Sequence, residues 1–135
     1  MIEVIEPTRL PVKNLINVVS SRRCGMEMAL KVGFSRPDAT KIAVVISELA
    51  RNITLYTEGG TITLIPQTGQ RRGIKVIAQD KGPGIADIDR VLAGGYTTSN
   101  GLGMGVSGSK NIMDEFEIQT VLGAGTTIRT AKWLD

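Results

Sequence analysis

The sequence predicts one α+β domain in which helices cover one face of a mostly antiparallel sheet. Two long stretches of helical apolar period come early in the chain, at residues 12–32 and 35–56. Two pairs of alternating segments follow, each joined by a polar or glycine turn. No composition shift or repeat marks a linker within the 135 residues, so a single domain, 1–135, is expected.

Taken in order, residues 1–6 alternate as a short strand stopped by Pro7. Leu15, Val18, Val19, Met26, Ala29 and Leu30 recur at helical spacing until Gly33 ends the first helix. Ser35 with Asp38 three residues on resembles a capping box, and Pro37 sits in the tolerated first turn. The second helix then runs to about Tyr56, with Ile42, Val45, Ile46, Leu49 and Ile53 as its buried stripe. Gly59-Gly60 breaks that period. Residues 61–65 and 73–80 alternate as strands about a polar turn, which suggests an antiparallel hairpin. Residues 83–92 read as a loop and short helix, and 94–105 hold five glycines in twelve residues. A helix is expected over 106–116, with Ile112, Met113 and Phe116 inward, then a closing hairpin of 117–122 and 126–134.

Composition narrows the chemistry. Apolar residues make up 41% and charged residues 21%, as in an ordinary soluble domain. A net charge of +3, scattered basic residues and 4% aromatics argue against a nucleic-acid partner. There is no histidine and one cysteine, Cys24, which reads as a small packing residue. That excludes an intrachain disulfide, Cys/His zinc sites and a Ser-His-Asp triad. Carboxylates or an oxygen-bound metal must carry any reaction. The N-terminus lacks the basic start and apolar run of a secretion signal, and no stretch has the length of a membrane span. A cytoplasmic protein is expected.

Three constellations stand out. Glu48 and Asn52 lie one turn apart on the second helix and share a face. Such a pair can be a solvated face; it also suits a magnesium ligand (the Asn carbonyl) beside a carboxylate able to orient or deprotonate a hydroxyl. Asp80-Lys81-Gly82-Pro83-Gly84 follows a strand. A plain Asp-Gly turn accounts for it, as does a carboxylate accepting from an exocyclic amine, with Gly82 and Gly84 admitting a flat base. Gly101-Leu102-Gly103-Met104-Gly105 precedes a helix, where unpaired N–H groups favour an anion, or else forms a floppy loop. It is neither a P-loop nor a Rossmann turn.

The order of these three, closed by Gly125-Thr126 opening a strand, resembles the box series of the GHKL ATPases. The resemblance implies the Bergerat fold, a two-layer α/β sandwich, and ATP with Mg2+ as cofactors. It implies Asn52 as the magnesium ligand and Glu48 as the candidate base. Asp80 would read the adenine amine, Gly82 and Gly84 would line the base pocket, and Thr126 or Thr127 would support the adenine contact. Gly101, Leu102, Gly103, Met104 and Gly105 would hold the phosphates at the hinge of a lid over 94–104. Thr97, Thr98 and Ser99 are lid hydroxyls that reach phosphate or simply face water.

Within the superfamily the chain is similar to the anti-sigma-factor serine kinases, and in particular to the stressosome switch kinases. Residues 47–53, 80–88, 101–103, 113–116 and 132–134 carry that similarity, and Tyr56 stands where many anti-sigma kinases have histidine. Gyrase, chaperone and mismatch-repair members need further domains, and sensor kinases need a phosphoacceptor histidine. The similarity implies transfer of the γ-phosphate to Ser or Thr of a STAS-domain partner, then release to a downstream phosphatase or cyclase-type output protein. Arg22 and Arg23 are either a docking site for an acidic STAS face or solvated helix charges. An anti-sigma factor that sequesters a sigma subunit shares every nucleotide residue and is the alternative. A nucleotide-gated interaction module without turnover is a third.

Overall fold

The computed structural model describes residues 4–82 and 105–134. Its elements are β1 (Thr8–Val12), α1 (Leu15–Val32), α2 (Arg36–Tyr56), β2 (Gly60–Thr68), β3 (Arg72–Asp80), α3 (Gly105–Ile112), β4 (Glu115–Val121) and β5 (Gly125–Trp133). The five strands form one sheet in the order β1-β2-β3-β5-β4, each neighbouring pair antiparallel. Both long helices pack on strands β1 to β3 and on each other. This is the expected two-layer α+β architecture.

Strand alternation decides which face the helices cover. Ile62 and Leu64 of β2, Ile74, Val76 and Ala78 of β3, and Ile128 and Thr130 of β5 are buried. The residues between them are half-buried or exposed, the pattern of a sheet packed on one side. Opposite them, α2 buries Ile42, Val45, Ile46, Leu49 and Ile53, its predicted stripe. Each fully buried aliphatic side chain contributes about 1.5–3 kcal/mol relative to exposure. Thr130 is the polar member of this layer, and its hydroxyl donates to the Val76 carbonyl at 3.1 Å.

Caps set both helix starts. Asn14 accepts from the Asn17 N–H at 3.1 Å, and the Asn17 side chain accepts from the N–H of Lys13, the residue before the cap, at 2.9 Å. Ser35 accepts from the Asp38 N–H at 3.3 Å. Gly33, at φ 124°, ends α1 by donating to Ala29 and Leu30. Arg72 adds a side-chain cap there, donating to the Val32 carbonyl through Nε at 2.9 Å and Nη2 at 2.6 Å.

Three expectations need correction. Of the strand expected over residues 1–6, residues 1–3 lie outside the described residues and 4–6 form no strand; β1 starts at Thr8, beyond Pro7. β1 contains Pro11 and tolerates it because, among the described residues, it is a sheet edge paired with β2 alone. The first helix begins at Leu15 instead of Val12, and its apolar period misleads, since Leu15, Ile16 and Val19 are 67%, 74% and 59% exposed. The third helix stops at Ile112, so Phe116 reaches the core as a strand residue of β4. Phe116, Ile118 and Thr120 alternate with exposed residues, a period of two that outweighs the helical spacing from Ile112.

The two helices approach closely at Gly25, where an added Cβ would collide with the Ile46 side chain. Gly25→Val is therefore expected to destabilise the fold by about 1–3 kcal/mol through overpacking, read as a lower urea midpoint. An unchanged midpoint would contradict the close approach.

Candidate nucleotide-binding site

Rotation of α2 places the first pair. With its stripe locked against the sheet, Glu48 and Asn52 fall on the flank of the buried face. Glu48 is only 4% exposed. Asn52 is partly exposed as a residue, yet its Oδ1 is buried and has no hydrogen-bond partner. An orphaned buried carbonyl is uncommon and costs about 1–3 kcal/mol. A hard oxygen donor in that condition fits a cation such as Mg2+, which takes few protein ligands and fills its shell with water and phosphate oxygens. No cluster of three or more acidic, His or Cys side chains exists among the described residues.

The end of α2 is tied to the end of β3. Thr57, the C-cap of α2, donates to the Ile53 carbonyl at 2.7 Å and accepts from the Gly59 N–H at 3.0 Å. Its methyl lies against Gly82, where a Cβ would stand 2.5 Å from Thr57 Cγ2 and 3.0 Å from Asp80 Oδ1. Gly82 in turn donates its N–H to Asp80 Oδ1 at 2.8 Å. One carboxylate oxygen is thus used to orient the side chain, and the other is available to accept from a ligand amine. Asp80 shares the helix-facing side of β3 with Ile74, Val76 and Ala78, at the strand's open end.

Two glycines make that end possible. Gly60 and Gly125 flank β3, and a Cβ on either would strike the backbone at Gln79 or Asp80. Gly125 also adopts φ 131°, a value that side chains rarely accept. Across the β3–β5 register Asp80 faces Thr126, whereas Thr127 faces Gln79 on the opposite side of the sheet. Thr126 is 7% exposed, and its hydroxyl lies 3.0 Å from that of Thr120. Of the two threonines considered from sequence, Thr126 stands beside Asp80.

Asp80, Gly82 and Thr126 therefore meet at one end of the sheet against Thr57, the C-cap of the helix that carries Glu48 and Asn52 further back. Gly105 is the first residue of α3, which packs on α2. Gly84, Gly101, Leu102, Gly103 and Met104 lie outside the described residues, as do Thr97, Thr98 and Ser99 and the proposed lid. Thr57 and Gly60 escaped sequence reasoning. The Gly59-Gly60 pair was visible there only as a helix stop, and the threonine carried no signal at all.

Residues 37–134 match the family described as histidine kinase-, DNA gyrase B-, and HSP90-like ATPase. The chain belongs to that family. It is 47% identical over 120 residues to the serine/threonine-protein kinase RsbT of Bacillus subtilis, covering 87% of this chain and 90% of the relative. It is 32% identical over 103 residues to the anti-sigma F factor of Bacillus cytotoxicus, covering 72% of this chain and 70% of the relative. Among solved structures, the crystal structure of the RsbU and RsbW domains of a Mycobacterium tuberculosis protein superposes with a TM-score of 0.64 at 16% identity. That match covers 95% of this chain and 32% of the other, and it speaks for the fold.

Asp80→Asn keeps the acceptor for Gly82 but removes the charge and can turn an amide N–H toward a ligand amine. ATP affinity measured by calorimetry is expected to fall roughly ten- to a hundredfold, the loss of one hydrogen bond to a charged group. Unchanged affinity in the folded variant would remove Asp80 from the base pocket.

Proposed function

We propose that this chain is an ATP-dependent serine/threonine kinase that phosphorylates a STAS-domain protein as a switch in bacterial stress signalling. The observation that carries the reading is the buried Glu48 carboxylate one helical turn from the orphaned Asn52 oxygen, on the helix whose C-cap Thr57 lies against Gly82. Similarity to the RsbT kinase over most of the chain supports a protein hydroxyl as the acceptor.

In this mechanism Asp80 accepts from the adenine amine, Gly82 and Gly84 admit the base, and Thr126 supports that contact. Asn52 would hold Mg2+, which supplies charge neutralisation at the phosphates when bound. The amides of residues 101–105 cradle those phosphates ahead of α3. Glu48 orients the acceptor hydroxyl and takes its proton; the chain has no histidine for that task. Positioning and charge stabilisation account for most of the rate in such transfers.

The outward face of α1 suits a protein partner. Leu15, Ile16 and Val19 are exposed there, and a groove of about 460 Å³ is lined by Val19, Arg22, Arg23, Met26 and Glu27 of α1 with Thr40 of α2. An apolar patch beside two arginines fits a partner surface with an apolar centre and an acidic rim. The STAS acceptor and a later phosphatase or cyclase-type output protein would compete for it. None of the helices among the described residues is long and apolar enough to cross a membrane. A second reading, an anti-sigma factor, is favoured by the similarity to the anti-sigma F factor of Bacillus cytotoxicus.

Incubation with γ-labelled ATP, Mg2+ and a panel of purified STAS-domain proteins is expected to yield phosphoserine or phosphothreonine on one of them. Asn52→Ala should abolish the transfer while the protein stays folded. Label retained at the unmodified level would defeat the metal assignment, and a sigma subunit recovered by pull-down in place of a STAS protein would favour the second reading.

A further inference from the structure

Glu48 belongs to the one ion pair found among the described residues. Arg51 Nη1 stands 3.5 Å from Glu48 Oε1, three residues further along α2. The two side chains are unequally wet, 37% exposed for Arg51 and 6% for Glu48. Helix pairs at this spacing normally lie on the surface, where they contribute a few tenths of a kcal/mol. Here the acid end is inside, and a dehydrated carboxylate needs a compensating charge close by.

The geometry also brackets Glu48. Residues advance by about 100° around a helix, so Arg51 lies on its solvent flank and Asn52 on its core flank. Contact runs from one guanidinium nitrogen to one carboxylate oxygen, longer than an ideal charge-assisted hydrogen bond. It restrains the carboxylate's rotation without clamping both oxygens.

We propose that Arg51 is a positioning residue for phosphoryl transfer, holding Glu48 Oε1 so that the carboxylate is presented to the acceptor hydroxyl in a fixed orientation. The inference rests on the kinase reading above. In the step concerned, the hydroxyl oxygen bonds to the γ-phosphorus as the bond to the β–γ bridging oxygen breaks. That electron pair leaves on ADP, and the hydroxyl proton passes to Glu48 and then to solvent. Arg51 contacts none of the reacting atoms and acts through Glu48 alone.

A double-mutant cycle tests this, using full-length protein, Mg·ATP and the STAS acceptor found in the transfer assay. Arg51→Met is expected to lower kcat about tenfold, part of what a positioned base supplies, with ATP affinity by calorimetry and the acceptor KM unchanged. Arg51→Lys should recover part of the loss. In a Glu48→Gln background Arg51→Met should cost nothing more, because the group it positions is gone. The same tenfold loss in that background, or a raised acceptor KM at unchanged kcat, overturns the inference by giving Arg51 a role of its own. If Arg51→Met loses its cooperative thermal transition, Arg51→Gln, which keeps a donor but no charge, takes its place in the cycle. Full activity of Glu48→Gln alone overturns the inference and leaves the kinase reading standing, whereas no acceptor phosphorylated at all sinks the kinase reading and the inference with it. Those two outcomes are read without any Arg51 variant.

Discussion

Everything at the candidate site depends on how α2 is seated on the sheet. Its apolar stripe of Ile42, Val45, Ile46, Leu49 and Ile53 is buried along its length, which leaves the helix no freedom to roll. Glu48 and Asn52 inherit their orientation from that stripe. At its C-terminal end the helix is fastened a second time, by Thr57 against Gly82. A helix held at both its face and its end can keep a carboxylate and an amide in place without either being held by a ligand.

The second constraint is crowding at the end of β3. Gly60 and Gly125 bring the flanking backbones so near that no side chain fits, and Gly82 does the same against Thr57. Asp80 emerges from this pinched point with one oxygen already committed to Gly82. Such an arrangement lowers the entropy that a ligand must remove on binding. By contrast, the Asn52 oxygen is left unsatisfied at a cost in stability, and unsatisfied polar atoms of that kind concentrate where a ligand completes them.

Away from the site, the fold shows how a small domain secures its opposite end. Arg72 caps α1, and the Leu134 N–H returns to the Arg72 carbonyl at 2.9 Å. The guanidinium of Arg71 stacks 4.4 Å from the centre of the Trp133 ring, whose indole N–H donates to Glu115. The turn after β2, the last strand and the start of β4 are thereby joined by polar and ring contacts. The exposed apolar face of α1 is the remaining departure from simple burial logic, and its arginines give it the character of a docking surface.

The sequence by itself determined the fold class, the second helix with its cap and stripe, both hairpins, and the motif order that marks the ATPase family. Those features rest on local periodicity and on spacings within single elements, which a linear reading captures. Tertiary structure decided the rest. Residues 12–19 carry an apolar pattern that suits a strand, a helix or a surface patch, and only packing assigns Val12 to β1 and Leu15 and Val19 to solvent. Phe116 reads as an inward apolar residue in either a helix or a strand, and its backbone state was settled by pairing with β5. Thr126 and Thr127 differ by one residue, and in a strand that single step moves a side chain to the opposite face. The pinching glycines, the Thr57 contact and the burial of Glu48 against Arg51 all arise between segments or from solvent exclusion. No residue announces them, because each is a property of the distance between two chain segments.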